Sequence, residues 1–96
     1  MNVEFEGELW YWRGPAPFYF ITVPEEHCEF LRAASKFVTY GWGMIPAKAR
    51  IGATVWTTSL FPKDGGYIIP VKVRVRQAED LEEGAVVSVG LDVVPG

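Results

Sequence analysis

Hydrophobic and polar residues alternate singly at the start of this chain. Val3-Glu4-Phe5-Glu6-Gly7-Glu8-Leu9 places Val3, Phe5 and Leu9 on one face and three glutamates on the other. A period of two is that of a half-buried strand. The alternation lapses at Leu9-Trp10-Tyr11-Trp12, which is apolar on both faces. Either both faces are covered there, or Trp10 and Trp12 lie on an exposed aromatic surface, as at a dimer or partner contact. Arg13-Gly14-Pro15-Ala16-Pro17 cannot continue a ladder and predicts a turn. Phe18 to Val23 is a second strand, so the first two strands form a hairpin.

Pro24-Glu25-Glu26 changes the period. Proline suits a first helical turn, and glutamates there complement the helix dipole. Phe30, Leu31, Ala34, Phe37 and Val38 then recur at helical spacing, and Gly41-Trp42-Gly43 ends the segment. Met44 to Ile51 and Thr54 to Phe61 predict two strands around a tight turn at Gly52-Ala53. Pro62-Lys63-Asp64-Gly65-Gly66 predicts a hairpin, Asp-Gly supplying the positive φ of a primed turn. Tyr67 to Gln77 reads as a long strand, with Val71, Val73 and Val75 on one face and Lys72, Arg74 and Arg76 on the other. Pro70 inside it demands an edge or a bulge. Val86 to Val94 closes the chain, with Val87, Val89, Leu91 and Val93 sharing a face. The fold expected is mainly β: a small barrel of six to seven strands with one helix plugging one end.

Composition narrows the classes. A chain of 96 residues that is 49% hydrophobic and 22% charged is globular, and its length fits one domain over residues 1–96. One Cys excludes an internal disulfide, and one Cys with one His cannot furnish a structural zinc site. No apolar run reaches the length of a membrane span, and nothing at the N-terminus resembles a signal peptide, so a cytoplasmic protein without membrane partners is expected. The net charge of −3 hides a division into three blocks. Acidic segments, residues 1–31 and 77–96, flank a basic block over 32–76. The preferred reading is strand-to-strand pairing, Glu4-Glu6-Glu8 against Lys72-Arg74-Arg76; the alternative is a face for an anionic ligand.

Catalytic chemistry finds little support. His27 and Cys28 are adjacent on a helix, so their side chains diverge and cannot act as base and nucleophile. Ser35, Ser59 and Ser88 lie outside any nucleophile elbow, and the pairs Glu25-Glu26 and Glu82-Glu83 sit in turn or helix-start contexts. No phosphate-cradling glycine motif occurs, and no catalytic residue, metal or cofactor is expected. The aromatics are more suggestive. Trp10, Trp12, Phe18, Tyr19, Phe20, Trp42, Trp56 and Tyr67 lie among Arg13, Lys48, Arg50, Lys63 and Lys72. Aromatic platforms beside cations bind ring-bearing ligands or single strands, although a small domain also needs such side chains for its core. The candidate ligand-binding set is Trp42, Lys48, Arg50, Trp56, Tyr67 and Lys72.

Thr57-Thr58-Ser59-Leu60-Phe61-Pro62, with Gly66-Tyr67 and Pro70-Val71-Lys72-Val73-Arg74-Val75-Arg76, resembles a bacterial family, domain of unknown function 1905. Glu8-Leu9-Trp10, Val23-Pro24, Gly41-Trp42-Gly43, Ile45-Pro46-Ala47-Lys48-Ala49 and Gly84 extend the resemblance over nearly the whole chain. Phe18-Tyr19-Phe20 departs from it, since the family more often has a tryptophan near that strand's start. The resemblance implies a barrel of the double-split type, shared with transition-state-regulator and antitoxin proteins that bind DNA as dimers. Here one chain supplies the whole barrel. The family also occurs beside domains linked to bacteriocin protection, and it brings no established catalytic residues. The leading functional expectation is a non-enzymatic binding module, monomeric or homodimeric, for a small anionic or aromatic ligand or a protein partner. Nucleic-acid binding, by analogy with the related barrels, is the first alternative, disfavoured by a pI near 5.0. A small enzyme is the second.

Overall fold

The computed structural model describes residues 2–14, 18–38 and 44–93, with the backbone alone for 34–38. Its elements follow the alternation closely. They are β1 (Asn2–Trp12), β2 (Phe18–Thr22), α1 (Glu25–Val38), β3 (Ile45–Ile51), β4 (Thr54–Lys63), β5 (Gly66–Pro70), α2 (Val73–Ala78) and β6 (Val86–Asp92). The six strands close into a barrel in the order β1-β2-β5-β4-β3-β6, each neighbour antiparallel. Mainly β, closed and helix-plugged is the architecture that the period of two predicts.

The turns explain the register. Asp64 and Gly65 both have positive φ, 51° and 80°, as a type I′ turn requires. That turn sets Lys63 opposite Gly66 and hence Phe61 opposite Ile68. Gly52, at φ 58°, starts the other two-residue turn and sets Ile51 opposite Thr54. β1 serves two neighbours in succession: residues 2–8 pair with β6, and residues 9–12 pair with β2. Gly7 stands at that handover with its missing side chain toward the interior, where a Cβ would meet Ile21 Cγ2 at 2.5 Å.

Alternate residues of each strand fill the barrel. Leu9, Ile21, Ile45, Trp56, Leu60, Ile69 and Leu91 form its centre, all with 2% or less of their surface exposed. Each such aliphatic side chain contributes about 1.5–3 kcal/mol by leaving water. The Trp56 indole N–H, which burial would otherwise strand, donates to the Pro70 carbonyl at 3.2 Å. Val89 and Leu91 of β6, and Val93 just after it, point inward as their alternation predicts.

The two helices cover opposite ends. α1 sits at the end of the β4–β5 turn, where Cys28 and Leu31 are buried and Arg32 Nη2 donates to the Gly65 carbonyl at 2.6 Å. α2 sits at the other end of β4, where Val75 enters the core and Thr54 Oγ1 donates to the Glu79 carboxylate at 2.5 Å.

The second helix corrects the long strand expected from Tyr67 to Gln77. The ladder ends at Pro70, with one further bond from Val71 N to the Tyr19 carbonyl at 2.9 Å. The chain then turns, and Arg76 N bonds to the Lys72 carbonyl at 3.1 Å. Val-Lys-Val-Arg-Val-Arg has the period of a strand, but the open barrel end needs a plug. A helical turn directs Val71 and Val75, four residues apart, into that opening, and leaves Val73 55% exposed.

The expected charge ladder goes with the strand. Glu4, Glu6 and Glu8 lie opposite Gly90, Ser88 and Val86 of β6, not opposite Lys72, Arg74 and Arg76. Lys72 and Arg74 instead donate to the Thr57 and Val55 carbonyls, and Arg76 lies 3.9 Å over the Tyr19 ring. Gly41-Trp42-Gly43, expected to end α1, lies outside the described residues.

Candidate functional site

The feature of this barrel that its fold does not require is on the outside. Leu9 of β1 and Ile21 of β2 point inward, so Trp10, Trp12, Phe18 and Phe20 point outward. The registers Trp10↔Phe20, Trp12↔Phe18 and Phe20↔Pro70 set them side by side, and Phe61↔Ile68 extends the face onto β5 and β4. Phe20 is the hub. Its ring lies 5.3 Å from Trp10, 5.9 Å from Trp12, 6.0 Å from Phe18 and 6.3 Å from Phe61.

The rings are tilted at 37–52° to one another, with centroids in the 4.5–7 Å range of favourable aromatic pairs. Phe20 is thereby 1% exposed although it stands on the outer surface. Its shelter is incomplete on the outside, because Trp12 is 48% and Phe18 is 50% exposed, and Phe61 is 36% exposed. Trp10 is held by an indole N–H bond to Thr22 Oγ1 at 2.9 Å. The face is thus rigid, apolar and open to solvent.

Its borders are charged. Going back along the outward row of β1, Glu8, Glu6 and Glu4 follow Trp10, all exposed. Beyond Phe61 on β4 comes Lys63, whose Nζ lies 3.5 Å from the Asp64 carboxylate. Lys72 stands at the opposite end of the face, beside the Thr57 carbonyl.

The residues expected to bind a ligand do not gather at one place. Trp56 and Tyr67 are inside the barrel, 2% and 6% exposed. Lys48 and Arg50 are exposed on the outer row of β3, opposite Asp92 and Gly90. They line a shallow groove of about 190 Å³ with Asn2, Val55 and Asp92. The Arg50 guanidinium lies across Gly90, where a Cβ would stand 3.5 Å from Nη2. Lys72 is on the far side of β4, and Trp42 lies outside the described residues.

A wider cleft, about 520 Å³, lies between the start of α1 and the β4–β5 turn. Val23, Cys28, Arg32, Lys63 and Ile68 line it together with Glu25 and Glu29. The Cys28 thiol is turned inward and donates to the Pro24 and Val23 carbonyls at 3.5 and 3.6 Å. The His27 ring leaves it to pack 5.9 Å from Phe5. Among the described residues no three of His, Cys, Asp or Glu converge to hold a metal ion, and no helix is long and apolar enough to cross a membrane.

The aromatic face was missing from the candidate ligand set, although a signal for it was present. Trp10 and Trp12 continue the parity of Glu4, Glu6 and Glu8, which is the solvent side of β1. Tryptophans that inherit a glutamate row are outward tryptophans.

The chain belongs to the family described as domain of unknown function (DUF1905), whose model matches residues 5–91. This is the family that the motifs of β4, β5 and the segment after it resemble. No curated protein matches the chain.

Proposed function

We propose that this member of the family is a non-enzymatic binding module whose contact surface is the outer aromatic face, and that the ligand of that face is a polypeptide surface. One observation carries the reading: Trp12 and Phe18 leave about half their surface in water around a Phe20 that they hold rigid. An apolar surface cluster on a protein this small marks an interaction site more often than chance exposure. Tryptophan and its aromatic neighbours are also the residues that dominate protein interfaces.

The test is site-specific photo-crosslinking in cells that produce the protein. A photoreactive phenylalanine replaces Trp12 or Phe18 in turn, with Val86, an exposed apolar residue of β6, as the control. Discrete adducts from positions 12 and 18 and none from 86 are expected. Equal labelling at all three positions, or none at 12 and 18, overturns the reading.

A second reading rests on Lys48 and Arg50, exposed side by side on the outward row of β3. Two cations over a shallow groove suit a small anion. Titration with inorganic phosphate, followed by thermal unfolding, is its test: a rise in Tm that Lys48→Ala and Arg50→Ala abolish supports it.

A further inference from the structure

We infer that the α2 end of the barrel holds a binding site for an oxyanion, the carboxylate or phosphate group of a small ligand. The Arg76 guanidinium is its anchor, with the Tyr19 and Tyr11 hydroxyls beside it. The site is separate from the outer aromatic face and from the groove of Lys48 and Arg50. Its basis is a set of donors that the chain itself leaves without acceptors.

Tyr11 of β1 and Tyr19 of β2 stand directly opposite each other in the ladder, on the inward row that also carries Leu9 and Ile21. Their rings lie 5.0 Å apart. Both are half-buried, because here the row has run past the packed centre to the end of the barrel. The chain leaves β5 beside them, since Val71 N bonds to the Tyr19 carbonyl. The helical turn of α2 then sets the Arg76 guanidinium carbon 3.9 Å over the centroid of the Tyr19 ring. A bond from Leu81 N to the Arg76 carbonyl, 2.8 Å, fixes the backbone behind it.

Arg76 Nε is buried and has no hydrogen-bond partner. Among the described residues neither tyrosine hydroxyl has one either, and no carboxylate lies within ion-pair distance of the guanidinium. Glu79, three residues on, is taken by Thr54. A buried polar group ordinarily meets an acceptor, because losing water without one is costly, and more so for a charge. Closing the barrel end does not call for such a group. Val75 already enters the core there, and an apolar side chain at position 76 would cover Tyr19 without stranding an N–H. Water does not reach Nε, so hydration of the charge falls to the two Nη groups. The ring beneath the cation helps to hold it in place. The complement of a guanidinium fork with hydroxyl donors beside it is a negative group that offers two or more oxygens.

The charges around the site are of both signs. Arg13, two residues past Tyr11, is an exposed cation, whereas Asp80, Glu82 and Glu83 follow α2 as exposed carboxylates. Recognition therefore rests on short-range bonds to the fork and the hydroxyls, not on a long-range field. For a bare anion this small, the affinity expected is in roughly the millimolar range.

Nitrogen NMR of the purified chain tests it on the buried group itself. The Arg76 Nε–H signal is followed while sodium acetate in one series, and sodium phosphate in another, replaces sodium chloride at constant ionic strength. A saturable shift with either anion is expected, and the tighter of the two names the group. Tyr19→Phe, which keeps the ring and removes the hydroxyl, should weaken binding by about threefold or more. Arg76→Lys, read on the Tyr19 backbone amide, keeps the charge, loses the fork and should weaken it by about tenfold. The double variant K48A/R50A should leave it unchanged. Saturation by neither anion overturns the site, as does a shift that Tyr19→Phe leaves intact or that K48A/R50A removes. A native amide spectrum of each variant separates lost binding from lost folding. If Arg76→Lys does not fold, Tyr11→Phe combined with Tyr19→Phe decides: unweakened binding overturns the site.

Discussion

The barrel wall has aromatic side chains on its inner and its outer surface, and the two sets are built to different rules. Inside, Trp56 is surrounded, its N–H is bonded to Pro70, and the neighbours that enclose it are closed to water. Outside, Phe20 is as deeply buried as Trp56, but two of the rings that cover it are half in solvent. The inner cluster serves folding, since every group in it leaves water. The outer cluster removes Phe20 from water only by leaving Trp12 and Phe18 in it. Burial alone does not distinguish the two; the exposure of the covering layer does.

Substitutions can break this contrast, beginning where the effect is greatest. Trp56→Ala should destabilise the barrel by about 4 kcal/mol, since it opens a cavity that rigid strands on all sides cannot fill. Urea or guanidinium unfolding measures it, and a loss as small as that of a surface variant would mean that the interior is not packed as described. Phe20→Ala should cost less, about 2–3 kcal/mol, because Trp12 and Phe18 have a free side from which to collapse into the gap. If Phe20→Ala costs as much as Trp56→Ala, the outer cluster is a second core rather than a surface.

Gly7→Ala adds a methyl to the inside and should destabilise by about 1–2 kcal/mol, as overpacking against Ile21 does. The same unfolding curves report it, and a neutral result would show slack in the interior that the strand handover does not suggest. Trp12→Ser should cost only about 1 kcal/mol, the loss of one ring that partly covers Phe20. Its effect should instead appear in crosslinking. A large loss of stability there would assign Trp12 to the fold and remove the main support for a binding surface.

β1, β3, β4 and β6 were legible in the sequence because each has one wet and one dry face, and β2 and β5 because turns bound them. Asp64-Gly65 was legible because two successive positive φ angles leave few residues to choose from. α2 was not, because Val73 to Gln77 carries the period of a strand and its helical turn is imposed by the barrel end that Val75 must close. The charge blocks misled for the same reason: Lys72, Arg74 and Arg76 alternate on paper, while the turn sends them to Thr57, Val55 and Tyr19. Of the candidate ligand set, Trp56 and Tyr67 were drawn from the right residue types and the wrong side of the wall. Aromatic identity does not tell inside from outside; parity with Glu4, Glu6 and Glu8 does, for Trp10 and Trp12.

The seam between β1 and β6 joins residues 2–8 to residues 86–92, the two ends of the described chain. In kinetic terms this pairing carries the longest loop to be closed in the molecule. Its entropy must be lost before the seam returns any contact. The hairpins β3–β4 and β4–β5 can form from neighbours, whereas the seam waits for every strand between them. During synthesis residues 2–8 of β1 therefore remain without their β6 partner until β6 has emerged. The barrel should refold slowly for its length, with the recovery of native tryptophan fluorescence following the closing of that seam.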